Sequence, residues 1–247
     1  MVRLKKSMGQ HLILSEGVTR KIVEEMDINE GDLVIEMGGG TGNLTSQLLK
    51  TPLEELTVVE IDPEMVKTLE KIEDKRLKVI KGDATRINIC DLYPRAKITG
   101  NLPYNVWSRI LINVIYNYEC LPLGVFMLQK EVAERLSSTK STSWLGTFIN
   151  TYYNIIYIMS VPARFFTPKP RVDSGVIKMV KRYENVPKDK HDYKKFLIRV
   201  FKHKRKMLKK KLPERVLELA GIDPASRVDQ LNHVKIIRLY NLFKETQ

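Results

Sequence analysis

Asn101-Leu-Pro-Tyr104 puts a side-chain amide, a proline-rigidified turn and an aromatic ring in four consecutive positions. That combination suits a planar amine: the Asn101 oxygen and a backbone carbonyl accept its two N–H bonds while Tyr104 stacks on the attached base. By itself the tetrad suits equally a turn whose Asn caps a helix. Upstream, Leu33-Val-Ile-Glu-Met-Gly-Gly-Gly-Thr-Gly42 runs an apolar stretch into four glycines, where backbone can turn sharply and approach a ligand with no Cβ in the way. The spacing is G-x-G-x-G, with Asn43 where the dinucleotide fingerprint has its last glycine, so the loop alone is also compatible with a tight structural turn. Glu60 stands 60 − 38 = 22 residues after Gly38, where an acid accepts hydrogen bonds from a ribose diol. Asp83, in Lys-Gly-Asp-Ala, is placed to contact an adenine amino group.

These groups must sit at strand ends for the chemistry to converge. Short Val- and Ile-rich runs alternate with longer amphipathic stretches from about Leu33 to Gln129, the rhythm of parallel strands and crossover helices. Strands are predicted at Leu33–Met37, Leu56–Ile61, Leu77–Ile80, Lys97–Gly100 and Leu123–Leu128, with helices over about 43–50, 63–73, 105–117 and 129–136. A further helix follows Trp144. After it come an apolar run at Ile155–Val161, a proline-rich loop at Pro162–Pro170 and a strand at Gly175–Lys181, the two apolar segments being expected to pair as an edge hairpin. Three polar features at three successive strand ends then form one crevice. A nicotinamide dehydrogenase would share those parts, so the chemistry has to come from the Asn101 tetrad.

Charge divides the chain. Between Lys181 and Lys211 there are fourteen Lys or Arg against three acids, 14 − 3 = +11 of a formal +13, so the remainder is nearly balanced. A strip of this kind draws polyphosphate partners through counterion release; a solvated helix face or a patch for anionic lipid is the alternative. Tyr193, Phe196, Leu197, Val200, Phe201, Met207, Leu208 and Leu212 recur mostly at steps of three and four, which predicts a helix pair packing one face inward with the cations outward. Helices are also expected at Pro213–Ala220 and Val234–Lys244. Cys90 and Cys120 lack metal-ligand spacing, so no metal site and no disulfide is expected, and a reducing cytosol is the expected compartment. The uncharged stretch 141–163 is interrupted by Ser, Thr and Asn and closed by Pro162; it is expected to be globular, with no membrane association.

With these residues assembled, the sequence resembles the class I S-adenosylmethionine-dependent methyltransferases, and among them the ribosomal RNA adenine N6-dimethyltransferases, whose N-L-P-Y tetrad it matches at Asn101, Leu102, Pro103 and Tyr104. The resemblance covers nearly the whole chain. Lys6-Ser-Met-Gly-Gln-His-Leu-Ile13 is similar to the family's amino-terminal G-Q-[NH]-F-L motif, with Leu12 and Ile13 for Phe and Leu. Phe126–Ala133 and Val161–Ser174 also fit, as do Phe201-Lys-His-Lys-Arg-Lys206, resembling F-x-x-R-R-K with Lys204 for the first Arg, and Gly221–Leu231, resembling G-I-D-P-x-x-R-x-E-x-L with Asp229 for Glu. The last two segments favour the small-subunit branch over the large-subunit enzymes.

The resemblance implies an α/β fold with a Rossmann-like, seven-stranded methyltransferase domain over residues 1–183 and a small, basic, helical RNA-binding domain over 184–247. It implies a cofactor site of His11, Ile13, Gly38, Gly40, Glu60, Ile61, Asp83, Ala84 and Asn101 for S-adenosylmethionine. It implies an adenine site of Asn101, Leu102, Pro103 and Tyr104, closed by Phe166, with Phe165 the neighbouring choice for that role. Lys202, Lys204, Arg205, Lys206, Lys209 and Lys210 are the cations expected on RNA. The implied partner is 16S-type ribosomal RNA in the small ribosomal subunit, the implied protein a cytoplasmic monomer. A large-subunit adenine methyltransferase and a non-catalytic RNA-binding relative are the alternatives.

Overall fold

The computed structural model describes residues 11–138 and 143–246; residues 6–10 of the amino-terminal motif lie outside them. Two compact units appear. The first comprises, among the described residues, 11–137 and 155–181, and the second 138, 143–154 and 182–246.

The first unit opens with a two-residue strand β1 (Leu12–Ile13) and helix α1 (Glu16–Glu25), whose N-cap Ser15 accepts from the Val18 N–H. Then β2 (Leu33–Met37), α2 (Asn43–Leu48), β3 (Glu55–Glu60), α3 (Pro63–Leu69), β4 (Leu77–Lys81), α4 (Ile89–Leu92), β5 (Lys97–Asn101), α5 (Trp107–Tyr116), β6 (Leu123–Gln129) and α6 (Lys130–Ser137) alternate. Asp62 caps α3 with its side chain and Pro63 sits in the first turn, where a missing N–H is no loss. After α7 (Trp144–Tyr152) the chain returns through β7 (Tyr153–Val161), β8 (Phe166–Thr167) and β9 (Ser174–Lys181).

The seven-stranded sheet has the order β4-β3-β2-β5-β6-β9-β7. Strands β2 to β6 pair in parallel, and β9 joins β6 antiparallel, with Phe126 opposite Ile177. The strand order reverses between β2 and β5, which opens a crevice beyond their carboxyl ends. Both faces of the sheet are covered, so β2 and β3 are buried almost throughout, which is why they read as continuous apolar runs and not as alternating ones. The two segments expected at the edge are neighbours in the sheet, β9 lying between β6 and the edge strand β7. The proline-rich loop holds β8, which pairs antiparallel with β1, Ile13 opposite Phe166, a ladder too short to leave a periodic signal.

In the second unit, α8 (Lys190–Phe201), α9 (Glu214–Ala220) and α10 (His233–Glu245) join α7. A single boundary at 183–184 therefore does not describe the units. Helix α7 is apolar and uncharged and buries itself among the later helices: the Thr151 and Tyr193 hydroxyls are 2.9 Å apart, and Tyr152 donates to the Pro187 carbonyl at 2.9 Å. Its lack of charge hid that allegiance in the sequence. The expected second helix of the basic pair is also absent: after α8 the chain turns at His203 (φ 54°) and forms only a 3-10 turn at Leu208–Lys210. Four cations at 202 and 204–206 would stack like charges along a helix, and Met207, expected inside, is 37% exposed.

Cys90 and Cys120 are joined by a disulfide, with Cα atoms 5.5 Å apart, which corrects the expectation of free thiols. Helix α4 packs beside the 3-10 turn Tyr118–Cys120, so the pairing is made by the fold and leaves no local spacing signature. Among the described residues, no helix is long and apolar enough to cross a membrane.

Candidate active site

A cavity of about 300 Å³ opens at the strand-order reversal, and its lining includes His11, Ile13, Gly38, Gly40, Glu60, Ile61, Asp83, Ala84 and Asn101 to Tyr104. All the residues expected at the cofactor and amine sites except Phe166 are thus brought to one crevice of the first unit; Phe166 lies in the same unit but is not among the lining residues. It is 4% exposed and belongs to the core under β1. Residues alternate across a strand, and in the β1–β8 ladder Phe166 is buried while Thr167 is exposed.

The glycine loop holds Gly38, Gly40 and Gly42 at φ 82°, 53° and 87°, angles that L side chains rarely tolerate. Glu60 braces it. One carboxylate oxygen accepts from the Gly40 N–H at 3.0 Å, the other from Ile61 and Asp62 N–H groups at 2.9 Å. Burial opposes ionisation of Asp83, but the Thr85 N–H and hydroxyl, helped by Arg86 and Arg109, hold its carboxyl below the usual range. The loop behind Asp83 is pinned from α5: Asn113 donates to the Ala84 and Ile87 carbonyls at 3.1 and 2.9 Å, and Asn117 accepts from the Ile89 N–H at 2.7 Å.

At the other end, Asn101 Nδ2 donates to the His11 carbonyl at 2.7 Å, which fixes the amide's donor side and leaves its oxygen as the acceptor. The Pro103 carbonyl is taken by the Val106 and Trp107 N–H groups at the head of α5; the Leu102 carbonyl precedes it. Tyr104 is partly buried, donates to or accepts from Ser174 at 2.8 Å, and has its phenol pKa raised by burial, with Asp173 adding. Its ring packs against the His11 imidazole, centroids 5.2 Å apart. His11 Nδ1 lies 2.7 Å from the Pro168 carbonyl; since a carbonyl only accepts, Nδ1 carries the proton. His11 thereby ties the amino-terminal segment, the proline loop and Tyr104 together.

Sequence reasoning missed four polar residues here. Asn43 donates to the Ile13 carbonyl at 2.5 Å and anchors β1. Asn113 and Asn117, four apart on an otherwise apolar face, were visible only as interruptions. Glu36, an acid inside an apolar strand, lines the cavity; burial pushes its carboxyl up to about 8, the Thr45 hydroxyl opposing at 2.6 Å and Glu60 adding.

The Glu36 shift sets a pH dependence. In the folded protein Glu36 keeps a proton that the unfolded chain loses above its ordinary value near 4.5, so stability is greatest below that value and declines as pH rises towards about 8. Glu36→Gln, which cannot ionise, should flatten this decline between about pH 5 and about pH 8 when Tm is followed without ligand; an identical Tm profile would assign the burial cost elsewhere.

The crevice at the strand-order reversal, lined by the glycine loop, Glu60, Asp83 and the Asn101 tetrad, is that of a class I methyltransferase. The sequence profile of the ribosomal RNA adenine dimethylase family matches residues 1–245. The chain belongs to that family. A Persephonella marina protein described as ribosomal RNA small subunit methyltransferase A is 42% identical, over 97% of this chain and 93% of its own. One so described from a Sulfurihydrogenibium species is 38% identical over 98% and 96%. In fold, the chain is similar to a dimethyladenosine transferase from Plasmodium falciparum, with a TM-score of 0.82 and 24% identity over 95% of this chain and 98% of that one.

Proposed function

We propose that this protein is a small-subunit ribosomal RNA adenine N6-dimethyltransferase. It would transfer methyl groups from S-adenosylmethionine to two adjacent adenines near the 3′ end of 16S-type RNA during small-subunit biogenesis. The observation that carries this is the single cavity in which Asn101, Leu102, Pro103 and Tyr104 adjoin the glycine loop, Glu60 and Asp83; the names of the relatives support the small subunit over the large. The positive-φ glycines, the Glu60 carboxylate and the Asp83 carboxylate fit the cofactor's backbone approach, ribose and adenine respectively. When bound, S-adenosylmethionine supplies an electrophilic methyl on a sulfonium.

An exocyclic adenine amine is a poor nucleophile because its lone pair is delocalised into the ring. Asn101 Oδ1 and the Leu102 carbonyl would accept its two N–H bonds and favour a pyramidal nitrogen, while Tyr104, backed by His11, stacks on the base. A catalytic base is not required, since the proton can leave after methyl transfer. A lone chain provides all these groups, so a monomer suffices, and a ribosomal substrate implies the cytoplasm; the bonded Cys90 and Cys120 do not themselves argue for a reducing compartment.

Docking falls to the basic turn. Lys202, Lys204, Arg205, Lys206, Lys209 and Lys210 are exposed, whereas the neighbouring Lys211 is half-buried and donates to the Val200 carbonyl at 2.5 Å. Neutralising Arg205 and Lys206 together should weaken binding to small subunits and reduce the salt slope by up to about two, with cofactor affinity unchanged. An unaltered slope would make the turn a solvated face. The function itself is tested by radiolabelled methyl transfer to unmethylated small subunits and mapping of the modified base: label at N6 of the two adjacent adenines is expected, and label confined to large subunits, or none, would overturn the proposal.

A further inference from the structure

The second unit contains a separate cavity of about 160 Å³ between α8 and α10. Helix α8 contributes Asp192, Lys195, Phe196 and Arg199, at steps of three, one and three, so all lie on one face. Helix α10 contributes Tyr240, Phe243 and Lys244. The Arg199 guanidinium lies over the Phe243 ring, 5.0 Å from its centroid, and the Lys244 ammonium 5.9 Å from that of Tyr240. Asp192, the one acid in the lining, accepts from the Tyr240 hydroxyl at 2.8 Å and pairs with Lys244 at 3.6 Å, so its charge is already engaged. Three cations against one carboxylate leave an excess of +2 beside the partly accessible ring of Phe243, while Phe196 and Tyr240 are buried.

We infer that this cavity is a subsite for one nucleotide of single-stranded RNA, its phosphate held by Lys195, Arg199 and Lys244 and its base against Phe243. The inference rests on the ribosomal RNA reading above and extends it to a surface outside the basic turn. The pairing of groups selects the ligand class. A phosphodiester satisfies the cations, and Arg199, with its guanidinium over Phe243 and one nitrogen donating to the Lys211 carbonyl at 3.2 Å, has further N–H donors for phosphate oxygens. An attached base uses the ring that a carboxylate peptide would leave in water. Were the cluster only a brace between the two helices, Lys195 would have no part in it: it is exposed, while the bracing contacts run through Asp192, Lys244, Tyr240 and Phe243.

The test is fluorescence anisotropy of the full chain with a labelled single-stranded ribo-oligonucleotide of mixed sequence, titrated at several salt concentrations. Lys195→Ala should weaken binding several-fold and reduce the salt slope by about one. Phe243→Leu, with Tm followed to confirm folding, should weaken it comparably with the slope unchanged, because stacking releases no counterions. Lys235→Ala, an exposed cation outside the cavity on α10, should bind as the unaltered protein does. Wild-type affinity and slope in both Lys195→Ala and Phe243→Leu would overturn the subsite, as would equal losses in Lys195→Ala and Lys235→Ala. Adding the Arg205 and Lys206 double variant keeps the two ideas apart. If it alone loses RNA, the subsite fails and the basic-turn reading stands; if only the cavity variants lose RNA, the subsite stands and the turn is displaced.

Discussion

Asn101→Ala is expected to lower the rate of methyl transfer by about 100-fold or more, on the order of 3 kcal/mol of barrier, the range for deleting one preorganised polar group aimed at a reacting centre. The amide occupies the end of β5, and its donor side is committed to the His11 carbonyl, so the oxygen cannot be exchanged for the nitrogen without breaking that bond. Truncation removes the acceptor for the adenine N–H and the clamp on the amino-terminal segment together. Asn101→Asp separates the two: it keeps oxygen acceptors and lacks the donor to His11. A larger loss in the alanine variant than in the aspartate one would assign the main effect to the amine contact. Cofactor affinity, measured by calorimetry, should change far less than turnover. Turnover within about threefold of wild type, under one kcal/mol of barrier, would remove Asn101 from the chemistry.

The features legible in the sequence were those whose physics is local. Val- and Ile-rich runs ending in Gly38, Glu60, Asp83 and Asn101 gave the strands, and because parallel strands share a direction, residues at their carboxyl ends converge without further information. What stayed hidden depends on partners far along the chain. The β1–β8 ladder joins residues more than 150 positions apart, and it is this ladder that turns Phe166 into the core. The Cys90–Cys120 bond, the Asn113 and Asn117 contacts behind Asp83, and the packing of α7 with α8 share that origin. Glu36 is different: an acid in an apolar strand was in plain view, but only its burial gives it a raised pKa. The basic turn shows the converse limit, where apolar spacing suggested a second helix and like-charge repulsion prevented it.

Gly100 carries the other large expectation, and its role is spacing. It sits on β5 beside Asn101, opposite Phe126, and a Cβ added there would lie 2.6 Å from the Met37 carbonyl oxygen, with Leu102 Cδ2 at 3.1 Å. The obstructing atom is strand backbone at the entrance to the glycine loop, so no side-chain rotation relieves it. Gly100→Ala must push β5 away from β2, the two strands that flank the crevice. Overpacking of this kind costs about 1–3 kcal/mol, which for a chain of this size lowers Tm by several degrees. The larger consequence is functional. Displacing the Asn101 tetrad from the glycine loop by a fraction of an ångström to about 1 Å should reduce methyl transfer by up to about 100-fold in molecules that remain folded. Gly17→Ala is the matched control: it lies in α1, its nearest contact is Ser15 Oγ at 3.8 Å, and reduced freedom of the unfolded chain should leave stability unchanged or raised by about 0.4–1 kcal/mol. Turnover is compared at a temperature where circular dichroism shows all three proteins folded. Wild-type turnover in Gly100→Ala would mean that the sheet absorbs the added methyl without moving the amine site, and that the β2–β5 spacing does not set the geometry of transfer.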